Sequence, residues 1–402
     1  MTDKYIIPRE KTRQLEKILR EQNVDALLIL SREGSDDVLP FLIGDNSTHL
    51  CAAFFMKDRK HIMLTSKSDE KKYTQSSIFS EVAVYEKSLN ELLTQALNRI
   101  APKNLALNMS KNDPIADGLS YGLYLTLADI IGKERLNAIV LSSENIIREL
   151  RSVKTPGEIE CLRRCIQITN DIYDEVFQKI MCGMSEKEIG ELFIDGMKKR
   201  NVCNGLGKPF DYPIVCLVSA GLAHRGPGDI KSVPGDIVIM DFSVRSEGYV
   251  SDIARTAYFL KDGESEAPSE VQQAFQTAHN AITAVIEYIS AGKRGWEVDA
   301  TGRMVVEKAG YPTVRHSVGH PIGRQCHDSG TRLGPFKGED DPSNRIIKVN
   351  EVYAIEPTII QDRGLPCMLV EENVLISPMG TEILSRRQNS LYLIPPPDKR
   401  EN

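Results

Sequence analysis

The sequence lacks the features that mark several specialised classes of protein. It contains no run of five or more like charges, and its formal net charge is −6, which argues against nucleic acid or an anionic membrane as the main partner. No apolar stretch approaches the length of a membrane-spanning helix, and the N-terminal segment is too charged for a secretory signal. These absences favour a cytoplasmic protein.

The cysteine and glycine patterns exclude two further kinds of site. The eight cysteines include no Cys-x-x-Cys pair, so reduced thiols are expected rather than a structural zinc site. No glycine-rich phosphate loop occurs in the first 150 residues, and the chain has no obvious internal repeat. The remaining composition, 41% hydrophobic and 26% charged over 402 residues, is that of two or three globular domains.

Residues 1–150 alternate apolar strands with helical patterns, which is typical of an α/β layer domain. Its two histidines, His49 and His61, are isolated, so we expect a structural or oligomerising role and no chemistry there. The predicted strands cover residues 25–30, 49–56, 61–66, 82–86 and 104–109. A helix that opens with Pro8 and spaces Leu15, Ile18 and Leu19 helically precedes the first strand, and further helices are predicted around residues 88–100 and 115–132.

A domain boundary is predicted near Thr155-Pro156-Gly157, where a long amphipathic helix is expected to begin. A second helix is expected over residues 185–200, with Ser185 as its N-cap and Glu188 closing a capping box. Residues 151–402 then read as a mixed α+β domain. Its later helices are predicted at about residues 268–291 and 296–310.

A predicted hairpin over residues 237–260 places one aspartate in each of its apolar strands. A turn centred between Ser246 and Glu247 would set Asp241 directly opposite Asp252. Buried like charges in this arrangement destabilise a sheet or take up a proton, unless a cation lies between them. The alternative is a shielded ion pair, which would need no metal.

A second hairpin over residues 351–377 repeats the arrangement with glutamates. A turn centred between residues 363 and 364 would set Glu356 opposite Glu371. Glu372 is the other candidate, because adjacent strand residues face opposite ways and only one of the pair can point inward.

Between the hairpins lie His316, His320 and His327, three of the seven histidines of the chain. Carboxylates combined with an imidazole suit Mn²⁺, Co²⁺, Fe²⁺ or Zn²⁺ better than a thiolate-rich site does. Four carboxylates offer more oxygens than one small ion needs, so two ions about 3.5–4 Å apart would account for all of them.

These residues resemble the pita-bread (M24-type) metallopeptidases, which include methionine aminopeptidase, aminopeptidase P and prolidase. The match is closest to the aminopeptidase P and prolidase branch. It is carried by "DFSVRSEGYVSDIART", "HSVGHPIGRQCHD", "AIEP" and "VEENVLI", and by "LRSVKTPGEIECLR" at the domain boundary. The resemblance implies a creatinase-like α/β N-terminal domain over residues 1–150. An α+β pita-bread (creatinase/aminopeptidase-like) catalytic domain would follow over residues 151–402.

The resemblance also implies the metal ligands. Asp241 would bind one metal ion, and His320 with Glu356 would hold the other. Asp252 and Glu371 would bridge both ions. Motif position favours Glu371 over its neighbour as the last ligand.

Three further roles follow from the resemblance. His224 and His327 would be catalytic residues that donate hydrogen bonds in the substrate cleft. His316 would bind substrate by lining the pocket for the residue after the scissile bond. Glu356, besides ligating metal, would shuttle a proton.

The implied activity is removal of the N-terminal residue from Xaa-Pro peptides by a homodimer that holds two divalent ions, manganese first and cobalt, zinc or iron as alternatives. Two departures bear on proline specificity: Leu369 replaces an arginine common in the proline-specific branch, and the segment after His327 is long, with an acidic tip at residues 338–344. The remaining alternatives are a same-fold enzyme acting on a small amide or guanidino metabolite, and an inactive binding protein.

Overall fold

A computed structural model describes residues 3–221, 226–362 and 365–396. It divides into two compact units, Met1–Arg151 and Ser152–Asn402. Within the described ranges, no helix is both long and apolar enough to cross a lipid bilayer.

The first unit is a six-stranded mixed sheet with helices on its two faces. The strand order is β4-β3-β2-β1-β5-β6. Along β1, Leu27 and Ile29 enter one core while Leu28 and Leu30 enter another, so both faces of the sheet are covered. The strands are β1 (Ala26–Ser31), β2 (Cys51–Met56), β3 (Ile62–Ser66), β4 (Glu81–Tyr85), β5 (Leu105–Leu107) and β6 (Val140–Ser142). The helices are α1 (Ile6–Glu21), α2 (Val38–Ile43), α3 (Glu70–Ser76), α4 (Asn90–Ile100), α5 (Tyr121–Ile131), α6 (Lys133–Ile139) and α7 (Glu144–Ser152).

This unit follows the predicted alternation of strands and helices, but it also contains elements that the sequence patterns did not predict: α2, α3, α6, β6 and α7. The helix expected over residues 115–132 is a short 3-10 turn at Pro114–Ala116 followed by α5. Ser120 begins the true helix, because its side chain accepts a hydrogen bond from the backbone N–H of Leu123.

The described residues of the second unit form four long helices and three small sheets. The helices are α8 (Pro156–Lys179), α9 (Glu186–Arg200), α10 (Ser269–Tyr288) and α11 (Gly295–Lys308). The strands are β7 (Cys203–Asn204), β8 (Ile214–Leu217), β9 (Ile237–Phe242), β10 (Val244–Ser246), β11 (Tyr249–Val250), β12 (Ile253–Phe259), β13 (Gly319–Pro321), β14 (Val352–Ile355), β15 (Glu372–Ser377), β16 (Gly380–Ile383) and β17 (Tyr392–Ile394). The sheet orders are β11-β10-β7, β17-β12-β9-β8 and β13-β14-β15-β16.

The helix signals read from the sequence correspond to local hydrogen bonds. Ser185 and Glu188 form the expected capping box of α9: the Ser185 N–H donates to the Glu188 carboxylate at 2.7 Å, and the Glu188 N–H donates to the Ser185 hydroxyl at 3.2 Å. Pro156 occupies the first turn of α8, where its missing N–H costs no helical hydrogen bond.

Strand β9 is covered on both faces, which explains why its aspartate is enclosed. Ile237 and Ile239 pack into the core that includes α10, whereas Val238 and Met240 pack into the core that includes α8 and α9. Asp241 continues the face of Ile237 and Ile239 at the end of the strand. The carboxylate is therefore carried to the rim of an apolar core.

The predicted register of the first hairpin is wrong by two residues. Asp241 lies opposite Ala254, not opposite Asp252, which sits one residue before β12. The turn is centred between Glu247 and Gly248, whose φ angles of 51° and 80° are both positive. Such a turn favours glycine at its second central position, so Gly248 sets the register. The two aspartates remain on one face as diagonal neighbours.

The register of the second hairpin matches the prediction. Ile355 pairs with Glu372 and Ile359 bridges to Met368, so Glu356 and Glu371 hold facing positions just beyond the ladder. Both glutamates therefore lie at the same end of the β14–β15 pair.

Candidate metal centre

Ligand-type side chains from three strand ends converge in the second unit. One ligand atom each from Asp252, His320 and Glu371 lies within 4.8 Å of the others. The Nε2 atom of His320 is 3.5 Å from Oδ2 of Asp252 and 3.6 Å from Oε1 of Glu356. Asp241 completes the acidic group, because its charge raises the pKa of Asp252. We call Asp241, Asp252, Glu356 and Glu371 the site acids.

Side-chain to backbone hydrogen bonds fix the position of Asp252. The Asp252 N–H donates to Oδ1 of Asn373 at 3.2 Å, and Nδ2 of Asn373 donates to the Asp252 carbonyl at 2.5 Å. Asn373 is fully buried, so these bonds are shielded from water. The Asn373 side chain thereby extends the sheet pairing around a residue that lies outside the strand.

A second set of bonds fixes Glu371. Its N–H donates to the carbonyl of Ala254 at 3.2 Å, which joins the two acidic hairpins. The guanidinium of Arg255, which is 2% exposed, donates to the Glu371 carbonyl at 2.7 Å and lies over the ring of Tyr173.

Glu371 and Glu372 have different surroundings although they are adjacent. Glu371 faces Asp252 and His320. The carboxylate of Glu372 instead forms a buried ion pair with Arg255 at 3.3 Å and accepts the N–H of Gln388 at 3.1 Å. Ser385 also donates to it. The geometry thus places Glu371 at the site and occupies Glu372 elsewhere.

The site acids are electrostatically unfavourable for one another. Burial, and after it the charge of Asp241, raises the pKa of Asp252 well above its usual range. Burial and the charge of Asp252 do the same to the pKa values of Glu356 and Glu371. Burial lowers the pKa of His320 to about 3, which keeps its imidazole neutral at neutral pH.

These properties fit a divalent metal ion. Oδ1 of Asp252 is buried and has no hydrogen-bond partner among the described residues. This oxygen is therefore available to bind a metal ion. The His320 imidazole, with Nδ1 3.3 Å from the Pro321 carbonyl, directs Nε2 towards the carboxylates. Neutral imidazole and carboxylate are the donor types that Mn²⁺, Co²⁺, Fe²⁺ and Zn²⁺ accept.

The other predicted histidines have distinct positions. The ring centroid of His327 is 4.2 Å from that of His320, and His327 is exposed. His316 is held by the Ser317 carbonyl at 2.7 Å and by the Thr358 hydroxyl at 2.9 Å. Thr358 in turn donates to the Glu356 carbonyl at 2.9 Å, which connects His316 to the site. The prediction for His224 lies outside the described residues.

The two sequence departures have clear structural settings. Leu369 packs against the core that contains α10, and its backbone N–H and carbonyl both bond to the Thr256 hydroxyl. In the acidic segment, both carboxylate oxygens of Asp341 accept hydrogen bonds from Arg332 at 2.9 Å. These bonds tie the segment to the chain that leads into it.

Sequence reasoning missed three residues that build the site: Arg255, Cys326 and Asn373. Cys326 is buried, and its thiol donates to Oδ2 of Asp252 at 2.6 Å. Arg255 carried a signal, since a lone arginine in an apolar strand next to buried acids is the expected counter-charge. Cys326 and Asn373 carried none, because their contacts join segments far apart in the chain.

The family model "Metallopeptidase family M24" matches residues 160–378, and "Creatinase/Prolidase N-terminal domain" matches residues 11–153. An uncharacterized peptidase of Staphylococcus aureus (strain bovine RF122 / ET3-1) is 22% identical over 339 residues, covering 84% of this chain and 88% of the relative.

Two solved structures share the fold across nearly the whole chain. The Xaa-Pro dipeptidase from Bacillus anthracis has a TM-score of 0.74 at 21% identity, covering 96% of this chain and 100% of that one. The X-Pro aminopeptidase from Thermotoga maritima MSB8 has a TM-score of 0.75 at 23% identity, covering 95% and 100%.

The chain belongs to metallopeptidase family M24, whose model matches more than half of its residues. This confirms the predicted family, the predicted enzyme class of metallopeptidase and the predicted architecture, an α/β N-terminal domain followed by a pita-bread domain.

Proposed function

We propose that this protein is a hydrolase dependent on two divalent metal ions that removes the N-terminal residue from Xaa-Pro peptides, as an aminopeptidase or a dipeptidase. The observation that carries the proposal is the convergence of Asp252, His320 and Glu371, with ligand atoms within 4.8 Å, in a chain of family M24. The names of the two structural neighbours, an Xaa-Pro dipeptidase and an X-Pro aminopeptidase, support the substrate class.

The site acids and His320 are the proposed ligands, with manganese the first candidate and cobalt, zinc or iron the alternatives. Bound divalent ions supply Lewis-acid stabilisation of the peptide carbonyl and lower the pKa of an attacking water molecule. Glu356 suits proton transfer, because its side chain is 20% exposed and burial raises its pKa above the usual range of a glutamate. We further propose that His224 and His327 hydrogen-bond the reacting groups and that His316 contacts the substrate.

Proline specificity is the part of the proposal that Leu369 bears on. Leu369 is aliphatic and packs against the core. It therefore supplies no positive charge for the carboxylate or carbonyl groups of a bound peptide. We propose that a preference for proline then comes from the contact of His316 with the substrate. The same observation keeps a small non-peptide amide as the second candidate substrate.

A hydrolysis panel tests the substrate class. Metal-free protein is supplied in turn with Mn²⁺, Co²⁺ or Zn²⁺ and offered Xaa-Pro dipeptides, Xaa-Pro tripeptides, the matching alanine peptides and creatine-like amides. We expect cleavage of at least one Xaa-Pro series and little cleavage of the alanine series. Cleavage of the creatine-like amides alone would overturn the peptidase proposal.

Single substitutions test the metal centre. Asp252→Ala is expected to abolish turnover and to lower the bound metal measured by elemental analysis. His224→Ala should reduce turnover while the metal content stays unchanged. Normal hydrolysis by the Asp252→Ala protein would show that the proposed ligand set is wrong.

We also propose that residues 151–402 form the catalytic domain, that residues 1–150 serve a structural or oligomerising role, and that the protein is a homodimer in the cytoplasm. The eight cysteines are free thiols, the state expected in a reducing compartment. Light scattering of the purified full chain measures the oligomeric state, and a monomeric mass would reject the dimer.

A further inference from the structure

Cys326 occupies an unusual place beside the metal centre. It lies on the loop after β13, between His320 and His327, and is 3% exposed. Its sulfur is 2.6 Å from Oδ2 of Asp252, one of the proposed ligands. Of the eight cysteines in the chain, it is the one whose sulfur is grouped with metal-type side chains in the described residues.

His320, Cys326 and His327 form a second group of ligand atoms. One donor atom from each lies within 4.8 Å of the others, and the two imidazole rings are 4.2 Å apart. This group shares His320 with the site acids but adds a sulfur and a second imidazole. We call these three residues the sulfur–nitrogen face.

The loop that carries this face is held rigidly. The two carboxylate oxygens of Asp328 accept the N–H groups of Arg324 at 2.8 Å and Ser329 at 2.7 Å, while the Asp328 N–H donates to the Pro321 carbonyl at 3.0 Å. A loop closed on itself in this way keeps its donor atoms at fixed spacing, which metal binding requires.

The donor types on this face differ from those of the site acids. Carboxylates are hard ligands that suit Mn²⁺, whereas a thiolate with imidazoles is soft and suits Zn²⁺ or Co²⁺. A protein that presents both types around one histidine has a built-in means of distinguishing these ions.

We propose that Cys326 is a metal ligand and that the sulfur–nitrogen face binds a thiophilic dication, Zn²⁺ or Co²⁺, in preference to Mn²⁺. The thiol proton, now donated to Asp252, leaves to solvent when the sulfur binds the ion, and Oδ2 of Asp252 is released to bind metal as well. This inference depends on the proposed function, because it requires a metal centre at these residues.

Cobalt absorption tests the proposal independently of activity. Metal-free full-length protein is titrated with Co²⁺ without oxygen, and the near-ultraviolet sulfur-to-cobalt charge-transfer absorption is followed. The variants are Cys326→Ser, Cys326→Val and the matched control Cys165→Ser, which removes a buried thiol that bonds the Val244 carbonyl at 3.0 Å instead. We expect the absorption in the wild type and in Cys165→Ser, and its loss in both Cys326 variants.

Competition binding gives a second readout. Replacing Cys326 should weaken Zn²⁺ binding by at least about tenfold, the lower end for groups that support a metal site, while Mn²⁺ binding stays nearly unchanged. If wild-type protein binds Co²⁺ without charge-transfer absorption, Cys326 is only a hydrogen-bond donor to Asp252 and the proposal is overturned. If it binds no divalent ion at all, the proposed function itself fails.

Discussion

Replacing Asn373 by alanine should weaken both the fold and the metal centre, by amounts that the structure allows us to estimate. The substitution leaves the buried N–H and carbonyl of Asp252 without their partners. An unsatisfied buried polar group costs about 1–3 kcal/mol, so the loss is about 2–6 kcal/mol. The melting temperature should fall on the order of 10 °C. Because Asp252 is then less firmly placed, metal affinity should fall about 10- to 100-fold.

Gln388, on the segment between β16 and β17, provides a matched control. It holds Thr256 as Asn373 holds Asp252: the Thr256 N–H donates to Oε1 of Gln388 at 3.1 Å, and Nε2 of Gln388 donates to the Thr256 carbonyl at 2.7 Å. Gln388→Ala should therefore cost similar stability. Thr256 is not a proposed ligand, so metal affinity should not change.

The assay compares thermal unfolding and calorimetric Mn²⁺ titration for the wild type and the two variants. We expect the two variants to lose comparable stability, and only Asn373→Ala to lose metal affinity. If both variants keep full affinity despite reduced melting temperatures, the Asn373 side chain has no part in positioning Asp252. If Gln388→Ala loses affinity equally, the effect is a general loosening of β12.

Three further outcomes are expected. The raised pKa values of Asp252, Glu356 and Glu371 mean that the folded protein binds more protons than the unfolded chain, so metal-free stability should fall as the pH rises above about 4, the ordinary pKa of these carboxyls. The lowered pKa of His320 acts oppositely, since its stabilising contribution is lost as the pH falls from about 6.5 towards 3, but this is one group against three carboxyls. A metal-free melting temperature that does not fall anywhere between about pH 4 and pH 9 would contradict this account. Glu371→Gln should raise the melting temperature of the metal-free protein at neutral pH and lower metal affinity at least about tenfold, and a variant less stable without metal would refute the repulsion argument. Ser185→Ala should cost about 1 kcal/mol in urea unfolding, because it removes one half of the α9 capping box, and an unchanged midpoint would show that tertiary packing alone holds that helix end.

Sequence periodicity predicted most of the architecture because many of the interactions that form helices and strands join residues close together in the sequence. The capping box at Ser185 depends on four consecutive residues, and the strands of the first unit depend on runs of apolar residues. The second acidic hairpin was also predictable in register, because its ladder continues regularly to the Ile359–Met368 bridge.

The errors and omissions arise where geometry depends on a single turn or on distant partners. The first hairpin was placed two residues out of register because Glu247 and Gly248 share the positive-φ positions, and polarity alone does not locate the centre of a turn. The partnership of Asn373 with Asp252 spans 121 positions in the chain, so no local pattern predicts it.

Arg255 gives the adjacent side chains of Glu371 and Glu372 different electrostatic environments. Arg255 balances the charge of Glu372 within the folded chain, whereas Glu371 faces other acids and, as a proposed ligand, would be balanced by a bound metal ion. The charge of Glu372 is therefore balanced as soon as the chain folds, and that of Glu371 would be balanced only by metal binding. With the proposed ligand set, the chain would fold first and bind metal afterwards.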